Sequence, residues 1–107
     1  MSVTERDRAK KRGEIARALA KQGIEDVYVL DRESAREVLT DKRTEVLDAL
    51  RSDETESVTE LAKRLGRNKS VVSKDLTVLA ENDLVEFVEN GRRKVPRIKH
   101  SIVVAPV

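Results

Sequence analysis

Seven polar side chains between residues 67 and 77 could together bind a polyanion. They are Arg67, Asn68, Lys69, Ser70, Ser73, Lys74 and Thr77. Lysine can reach a guanine or a phosphate oxygen, and serine and threonine can donate to a phosphate or accept from a base. Asn68 and the open amides at a helix start can receive a phosphate, and Arg67 is placed for a long reach to a DNA backbone or a guanine. This chemistry suits the major groove of duplex DNA.

The spacing of apolar residues indicates that most of these polar side chains share one face of a helix. Val72, Leu76 and Leu79 recur at the interval that places residues on one side of a helix over residues 69–81. A helix that buries those three residues leaves the polar side chains on the opposite side. The alternative is an ordinary solvated face without a ligand.

Two residues beside this face have open interpretations. Val71 could touch a thymine methyl group, or it could pack half-buried against the protein. Asp75 would be repelled by phosphates if it pointed at DNA, so we expect it to pair with Arg67 or Lys74 and orient them. Acceptance of a hydrogen bond from a cytosine amine is the alternative for Asp75.

A second cationic cluster follows at a predicted hairpin. Asn-Gly is the strongest short signal for a hairpin turn, and three cations come directly after it. The cluster consists of Asn90, Gly91, Arg92, Arg93 and Lys94. Such a hairpin tip can lie along a minor groove or across a ridge of phosphates. The cations could also protect an exposed strand edge from aggregation.

Capping residues place these clusters on a defined order of elements. Ser57 and Glu60 match the S-x-x-E pattern of a capping box at the start of a helix, and Gly66 ends that helix. Asn68 begins the next helix, and Asn82 is expected to take the left-handed position at its end. A helix, a tight turn, a second helix and a basic hairpin predict a winged helix-turn-helix, an α+β fold.

Further elements are predicted outside this core. Residues 4–22 have the composition of a helix, and residues 27–30 and 102–104 are short β-type runs. Asp31 is expected to cap a short helix, and Thr40 to cap a helix that ends near residue 51.

These elements predict two domains. Residues 1–30 hold an additional N-terminal helix and a short strand, which we expect either to mediate dimerisation or to lie on phosphates as a basic arm. Residues 31–107 form the predicted winged helix-turn-helix DNA-binding domain.

The net charge of the chain is +2, but basic side chains gather at its two ends. Residues 1–22 carry seven basic and three acidic side chains, residues 23–56 five and eleven, and residues 57–107 ten and six. A basic end that coincides with the predicted helix-turn-helix favours nucleic acid as a partner.

Other function classes have little support. The chain has no cysteine, and a Ser-His-Asp triad would have to use its one histidine, His100. No glycine-rich phosphate-binding motif is present. We therefore expect no enzymatic activity, no catalytic or metal-binding residue and no cofactor. The only aromatic residues, Tyr28 and Phe87, are too few for the stacking platforms of single-strand binders.

The sequence also contains no apolar run of the roughly 20 residues that a membrane span needs. Its N-terminus, MSVTERDRAKKRGE, has no apolar signal core. We therefore expect no membrane partner and a cytoplasmic location.

The segment over residues 39–97 resembles archaeal winged-helix transcriptional regulators of the MarR/ArsR-like type. The resemblance depends on an L-T-x-x-R opening and an L-A-x-x-L-G-R…V-x-x-D-L-x-x-L core. The matching residues are Leu39, Thr40, Arg43, Leu61, Ala62, Leu65, Gly66, Arg67, Val72, Asp75, Leu76 and Leu79. The resemblance implies a dimeric repressor or regulator that binds double-stranded DNA, with its recognition helix starting at Lys69 and its wing tip at residues 90–94.

The resemblance also leaves alternatives open. The chain departs from the family pattern at Asp83, where glycine is usual before the following leucine, and this puts a carboxylate near the DNA side. Some members of the group lie beside small toxin genes, so an antitoxin with a small toxin partner is one alternative. A winged helix that binds a partner protein through the same face is the other.

Overall fold

The computed structural model describes residues 4–24, 26–100 and 102–104. Its elements in chain order are α1 (Glu5–Lys21), β1 (Val27–Val29), α2 (Arg32–Val38), α3 (Asp41–Ser52), α4 (Val58–Leu65), α5 (Lys69–Glu81), β2 (Val85–Asn90), β3 (Arg93–Ile98) and β4 (Ile102–Val104). Contacts divide the chain into two units, Val38–Lys99 and Met1–Glu37 with His100–Val107. The sequence predicts a boundary after residue 30 and a C-terminal segment within the second domain, whereas contacts group the C-terminal segment with the N-terminal unit.

Strand pairing explains why the C-terminal segment belongs to the N-terminal unit. In that unit β1 pairs in parallel with β4, and Tyr28 stands opposite Val103. The Tyr28 ring also stacks on the imidazole of His100, with ring centroids 4.9 Å apart. Parallel strands need a long connection between them. Here the connection is all of the chain between β1 and β4, and no local sequence pattern indicates that these two strands pair.

The predicted N-terminal helix is confirmed as α1. The Thr4 hydroxyl accepts from the Asp7 amide, and the Asp7 carboxylate accepts from the Thr4 amide in return, which forms a capping box. Gly23 follows the helix with a φ of 80°. No residue of α1 is fully buried. Within the described residues, no helix has both the length and the apolarity to cross a membrane.

The second unit is built on α3, α4 and α5, with the β2–β3 hairpin packed beside them. Its core contains the buried apolar side chains of Val46, Leu47, Leu61, Ala62, Val72, Leu76, Leu79, Leu84, Val85 and Val95. Each of the three helices therefore buries one side against the others. This order of elements confirms the predicted α+β winged helix-turn-helix, with α1 as the additional N-terminal helix.

Helix caps inside the second unit agree with the sequence, with one difference. Thr40, Ser57 and Asn68 each accept a backbone amide at the start of a helix, as predicted. The capping box at Ser57 is incomplete, because the Glu60 carboxylate accepts from the amide of Glu56, at 3.2 Å, and not from that of Ser57. The extended backbone at Ser57, with φ −165° and ψ 165°, accompanies this shift by one residue.

The left-handed residue at the end of α5 is Asp83, with a φ of 65°. The prediction that Asn82 takes this position is wrong, since Asn82 has a φ of −99° and continues the last turn. The Leu84 amide donates to the Leu79 carbonyl, which is the long bond of a Schellman motif. That bond fixes the left-handed position one residue later than expected.

The hairpin turn is also displaced by one residue. Asn90 pairs with Arg93 in the ladder, so the turn residues are Gly91 and Arg92, and the predicted Asn90–Gly91 turn is wrong. Gly91 has a φ of 65°, whereas Arg92 does not have a positive φ. Glycine at the first turn position is typical of a type II′ turn. Arg92 consequently stands at the tip of the hairpin.

Candidate nucleic-acid interface

The helix α5 has one buried and one solvent-exposed side. Val72, Leu76 and Leu79 are 0% exposed. The five polar residues predicted for the other side are all exposed, and we call them the polar face of α5: Lys69, Ser70, Ser73, Lys74 and Thr77. The apolar and polar sides of α5 are therefore buried and exposed as the sequence predicts.

An open groove of about 450 Å³ lies between the start of α4, the helix α5 and the strand β3. Its lining residues are Ser57, Val58, Thr59, Lys69, Ser73, Arg93 and Lys94. Three of these seven side chains are cationic, three carry hydroxyl groups and none is acidic. Cations that converge from two elements raise the positive potential of the space between them. The groove thus suits an anionic chain that runs between α5 and the hairpin.

The hairpin, which we call the wing, keeps its predicted cluster exposed. Asn90, Gly91, Arg92, Arg93 and Lys94 are all solvent-exposed. Only Arg93 and Lys94 line the groove, because Arg92 occupies the turn. The ladder sets Lys94 opposite an acidic residue, Glu89, which moderates its charge.

Two hydroxyl groups of the polar face already use their hydrogens within α5 and its cap. The Ser70 hydroxyl donates to the side-chain oxygen of Asn68 at 2.8 Å. The Thr77 hydroxyl donates to the Ser73 carbonyl at 3.0 Å. A hydroxyl that has donated its one hydrogen can still accept through its oxygen. These two side chains can therefore accept a hydrogen bond from a ligand. Of the two roles predicted for them, donor to a phosphate and acceptor from a base, the acceptor role fits this arrangement.

Arg67 lies in a different environment from the one predicted. Its guanidinium forms an ion pair with Glu45 and donates to the Lys42 carbonyl at 3.0 Å, and its side chain is 13% exposed. Both partners belong to α3. The structure thus directs Arg67 back to the protein, where it braces the turn before α5. Glu45 and the Lys42 carbonyl thus compete with DNA for the Arg67 guanidinium.

The predicted partner of Asp75 is also corrected. Asp75 pairs with neither Arg67 nor Lys74 but with Arg43, whose Nε lies 3.3 Å from Oδ1 of the carboxylate. Arg43 therefore positions the carboxylate of Asp75, a role that the sequence does not predict. It belongs to the L-T-x-x-R motif, but its pairing depends on the packing of α3 against α5, and 32 residues separate the two side chains.

Among the side chains that the structure describes, no group of three or more histidines, aspartates and glutamates is positioned to hold an ion.

Comparison with solved structures supports the winged helix-turn-helix architecture. One similar structure is the homodimeric winged helix-turn-helix DNA-binding domain of Mb0332 from Mycobacterium bovis, a possible ArsR-family transcriptional regulator. It is 29% identical to this chain, with a TM-score of 0.56 over 63% of this chain and 62% of that domain. The chain thus matches less than two thirds of the Mb0332 fragment.

A second similar structure is reduced HlyU from Vibrio cholerae N16961. It has a TM-score of 0.56 over 87% of this chain and 82% of HlyU, at 17% identity. Such a low identity supports the fold alone. No curated protein matches the sequence.

Comparison with protein families gives one match that covers most of the chain. The HVO_A0114 family model matches residues 38–105. This match begins at Val38, where the second unit begins, and it includes the polar face of α5 and the wing. The chain therefore belongs to the HVO_A0114 family.

Proposed function

We propose that the chain is a transcriptional regulator that binds double-stranded DNA in a sequence-specific manner, with α5 in the major groove and the wing on the adjacent backbone. One observation carries this proposal. The groove between α5 and the wing has cations on both sides, from Lys69 on the helix and from Arg93 and Lys94 on the strand. A phosphate backbone in that groove brings the polar face of α5 to the base edges.

The division of contacts follows from the positions around α5. Lys69 and Ser73 line the groove and face the wing, so they are assigned to phosphates. Ser70, Lys74 and Thr77 complete the polar face and are assigned to base edges. The similarity to the Mb0332 DNA-binding domain supports the assignment at the level of the domain.

We also propose that the protein binds DNA as a homodimer. Mb0332 is a homodimer. In this chain the apolar stripe of α1, which includes Ile15, Ala16 and Leu19, is only half-buried. A second copy of the chain would cover that stripe. A homodimer on duplex DNA would use two recognition helices about 34 Å apart and bind a palindromic site.

Salt dependence of duplex binding tests the DNA proposal. The probe is a duplex with the sequence upstream of the protein's own coding region. Each phosphate neutralised adds about −0.9 to the slope of log K against log salt, so Lys69→Ala should reduce the steepness by about that amount. Arg51→Ala is the matched control, because Arg51 pairs with Asp48 of its own helix. Lys74→Ala should weaken binding by about 1–2 kcal/mol.

The same measurement separates the alternatives. A winged helix that binds a partner protein through this face would show no salt-dependent binding to any duplex. An antitoxin that also regulates its own promoter would bind the duplex and, in addition, co-purify with a small toxin. A repressor would lower transcription in vitro from a template that carries the bound duplex.

Light scattering after size-exclusion chromatography tests the homodimer. Ala16→Glu puts a charge on the apolar stripe of α1 and should give a monomer. Ala18→Glu introduces the same charge on the exposed side of the same helix and should leave the dimer intact. If both variants stay dimeric while keeping their helical content, α1 has no part in the interface.

A further inference from the structure

One large apolar side chain of α5 leaves about half of its surface in solvent. Val71 is 50% exposed, and it is the only member of α5 among the large apolar side chains found exposed in the described residues. Half of the Val71 side chain is thus covered by the protein, as the packing alternative expects, and the other half stays open to a ligand beside the three fully buried residues of α5. The side chain stands one helical turn before Lys74, beside the polar face.

We propose that Val71 reads the 5-methyl group of a thymine in the major groove. This inference rests on the proposed function and specifies which base the recognition helix selects. The thymine methyl is the apolar group that a base pair presents in the major groove, and aliphatic side chains contact it.

The position of Val71 around α5 supports this assignment over contact with the backbone. Ser73 lies about 200° further around the helix axis, on the flank that lines the groove with Arg93 and Lys94. Val71 consequently lies on the flank away from the wing cations. A valine gains nothing from a phosphate, whereas a methyl group covers its exposed half and removes apolar surface from water.

The hydroxyl groups of the polar face are compatible with a thymine in the bound sequence. Ser70 and Thr77 have donated their hydrogens to Asn68 and to the Ser73 carbonyl, so each presents an acceptor to the DNA. Adenine offers the N6 amino donor in the major groove, and its partner thymine offers the methyl group. An A·T pair therefore satisfies both kinds of contact.

Removal of single methyl groups from a bound duplex tests the proposal. Wild-type protein first selects its preferred sequence from a pool of random duplexes. The selected duplex is then synthesised with each thymine replaced in turn by deoxyuridine, which lacks only the methyl group. We expect one position per half-site at which the replacement weakens binding about fourfold, the factor that corresponds to burial of one methyl group.

Variants identify the side chain responsible. Val71→Ala should weaken binding to the thymine duplex and lose the discrimination between thymine and deoxyuridine, with an unchanged salt slope because no charge is removed. Val88→Ala is the matched control, because Val88 is 45% exposed but lies on the wing. This control should keep the discrimination.

Two results would overturn the inference while leaving the proposed function intact. In one, salt-dependent duplex binding occurs, but deoxyuridine is tolerated at every thymine position. In the other, Val71→Ala keeps the same ratio of affinities for the two duplexes. If no duplex is selected from the pool at all, the proposed function fails and this inference fails with it.

Discussion

Arg43 of α3 and Asp75 of α5 form an ion pair in which Nε of Arg43 lies 3.3 Å from Oδ1 of Asp75. The two side chains are 21% and 16% exposed. Arg43 also donates to the Val38 carbonyl at 3.3 Å. Asp75 directly follows Lys74, so the pair ties α3 to the middle of the helix that carries the polar face. The orientation of that face thus depends on a residue outside it.

Loss of Arg43 should cost stability. Arg43→Ala leaves the Asp75 carboxylate without this partner in a largely buried position, and we expect the free energy of unfolding to fall by about 1–2 kcal/mol. Urea denaturation followed by circular dichroism measures the change. Arg51→Ala is the control, since the Arg51–Asp48 pair is exposed and should contribute less than about 0.5 kcal/mol. If Arg43→Ala lowers the free energy of unfolding no more than Arg51→Ala does, the Arg43–Asp75 contact does not stabilise the fold.

Arg67 should act on stability more than on DNA affinity. The Arg67 guanidinium is bound to Glu45 and to the Lys42 carbonyl, so Arg67→Ala removes a brace between α3 and the turn before α5. We expect a loss of about 1 kcal/mol in the free energy of unfolding. The slope of log K against log salt should stay the same as in the wild type. If the slope is instead shallower than that of the wild type by about 0.9, Arg67 contacts a phosphate, as the sequence predicts.

Local patterns in the sequence predicted much of the second unit. The interval between Val72, Leu76 and Leu79 identified the buried side of α5, and all three are fully buried. The capping positions Thr40 and Ser57 were predicted because each depends on residues within one helical turn. Contacts of this kind are specified by neighbours along the chain.

Distant contacts and positions set by the final turn of an element could not be predicted. The Arg43–Asp75 pair depends on how α3 packs against α5, and the β1–β4 pairing joins the two ends of the chain. Asparagine and aspartate tolerate the left-handed conformation comparably, so composition alone does not decide between Asn82 and Asp83. Single-residue shifts of this kind are settled by packing.

Substitutions at Asp83 should separate backbone strain from the ion pair with Lys99. Asp83 has a φ of 65°, which glycine adopts without strain. Both Asp83→Gly and Asp83→Ala lose the carboxylate that pairs with Lys99, so their difference isolates the backbone. We expect the glycine variant to be more stable than the alanine variant by about 1–2 kcal/mol in urea denaturation. Asn82→Gly should bring no gain, since Asn82 has a φ of −99°.

Acid should weaken the N-terminal unit through Asp31, the cap of α2. The Ser34 amide, with smaller contributions from the Ser34 hydroxyl and the Arg12 guanidinium, lowers the pKa of Asp31 below its ordinary value of 3.8 against the opposing effect of burial. The pKa of Asp31 is lower in the folded state than in the unfolded state. The ionised carboxylate therefore stabilises the fold fully above pH 3.8, and this stabilisation is lost as the pH falls through the folded pKa.

Asp31→Asn tests this pH dependence, because asparagine still caps the helix but carries no charge. Near pH 7 the variant should be less stable than the wild type by about 0.5–1 kcal/mol, and the difference should vanish in strong acid. Urea denaturation followed by the fluorescence of Tyr28 reports on this unit, since the chain has one tyrosine and no tryptophan. Ser34→Ala is the control and should keep most of the pH dependence, because it retains the backbone amide. If the difference in stability between the wild type and Asp31→Asn is the same near pH 7 and in strong acid, the assignment to the Asp31 charge is wrong.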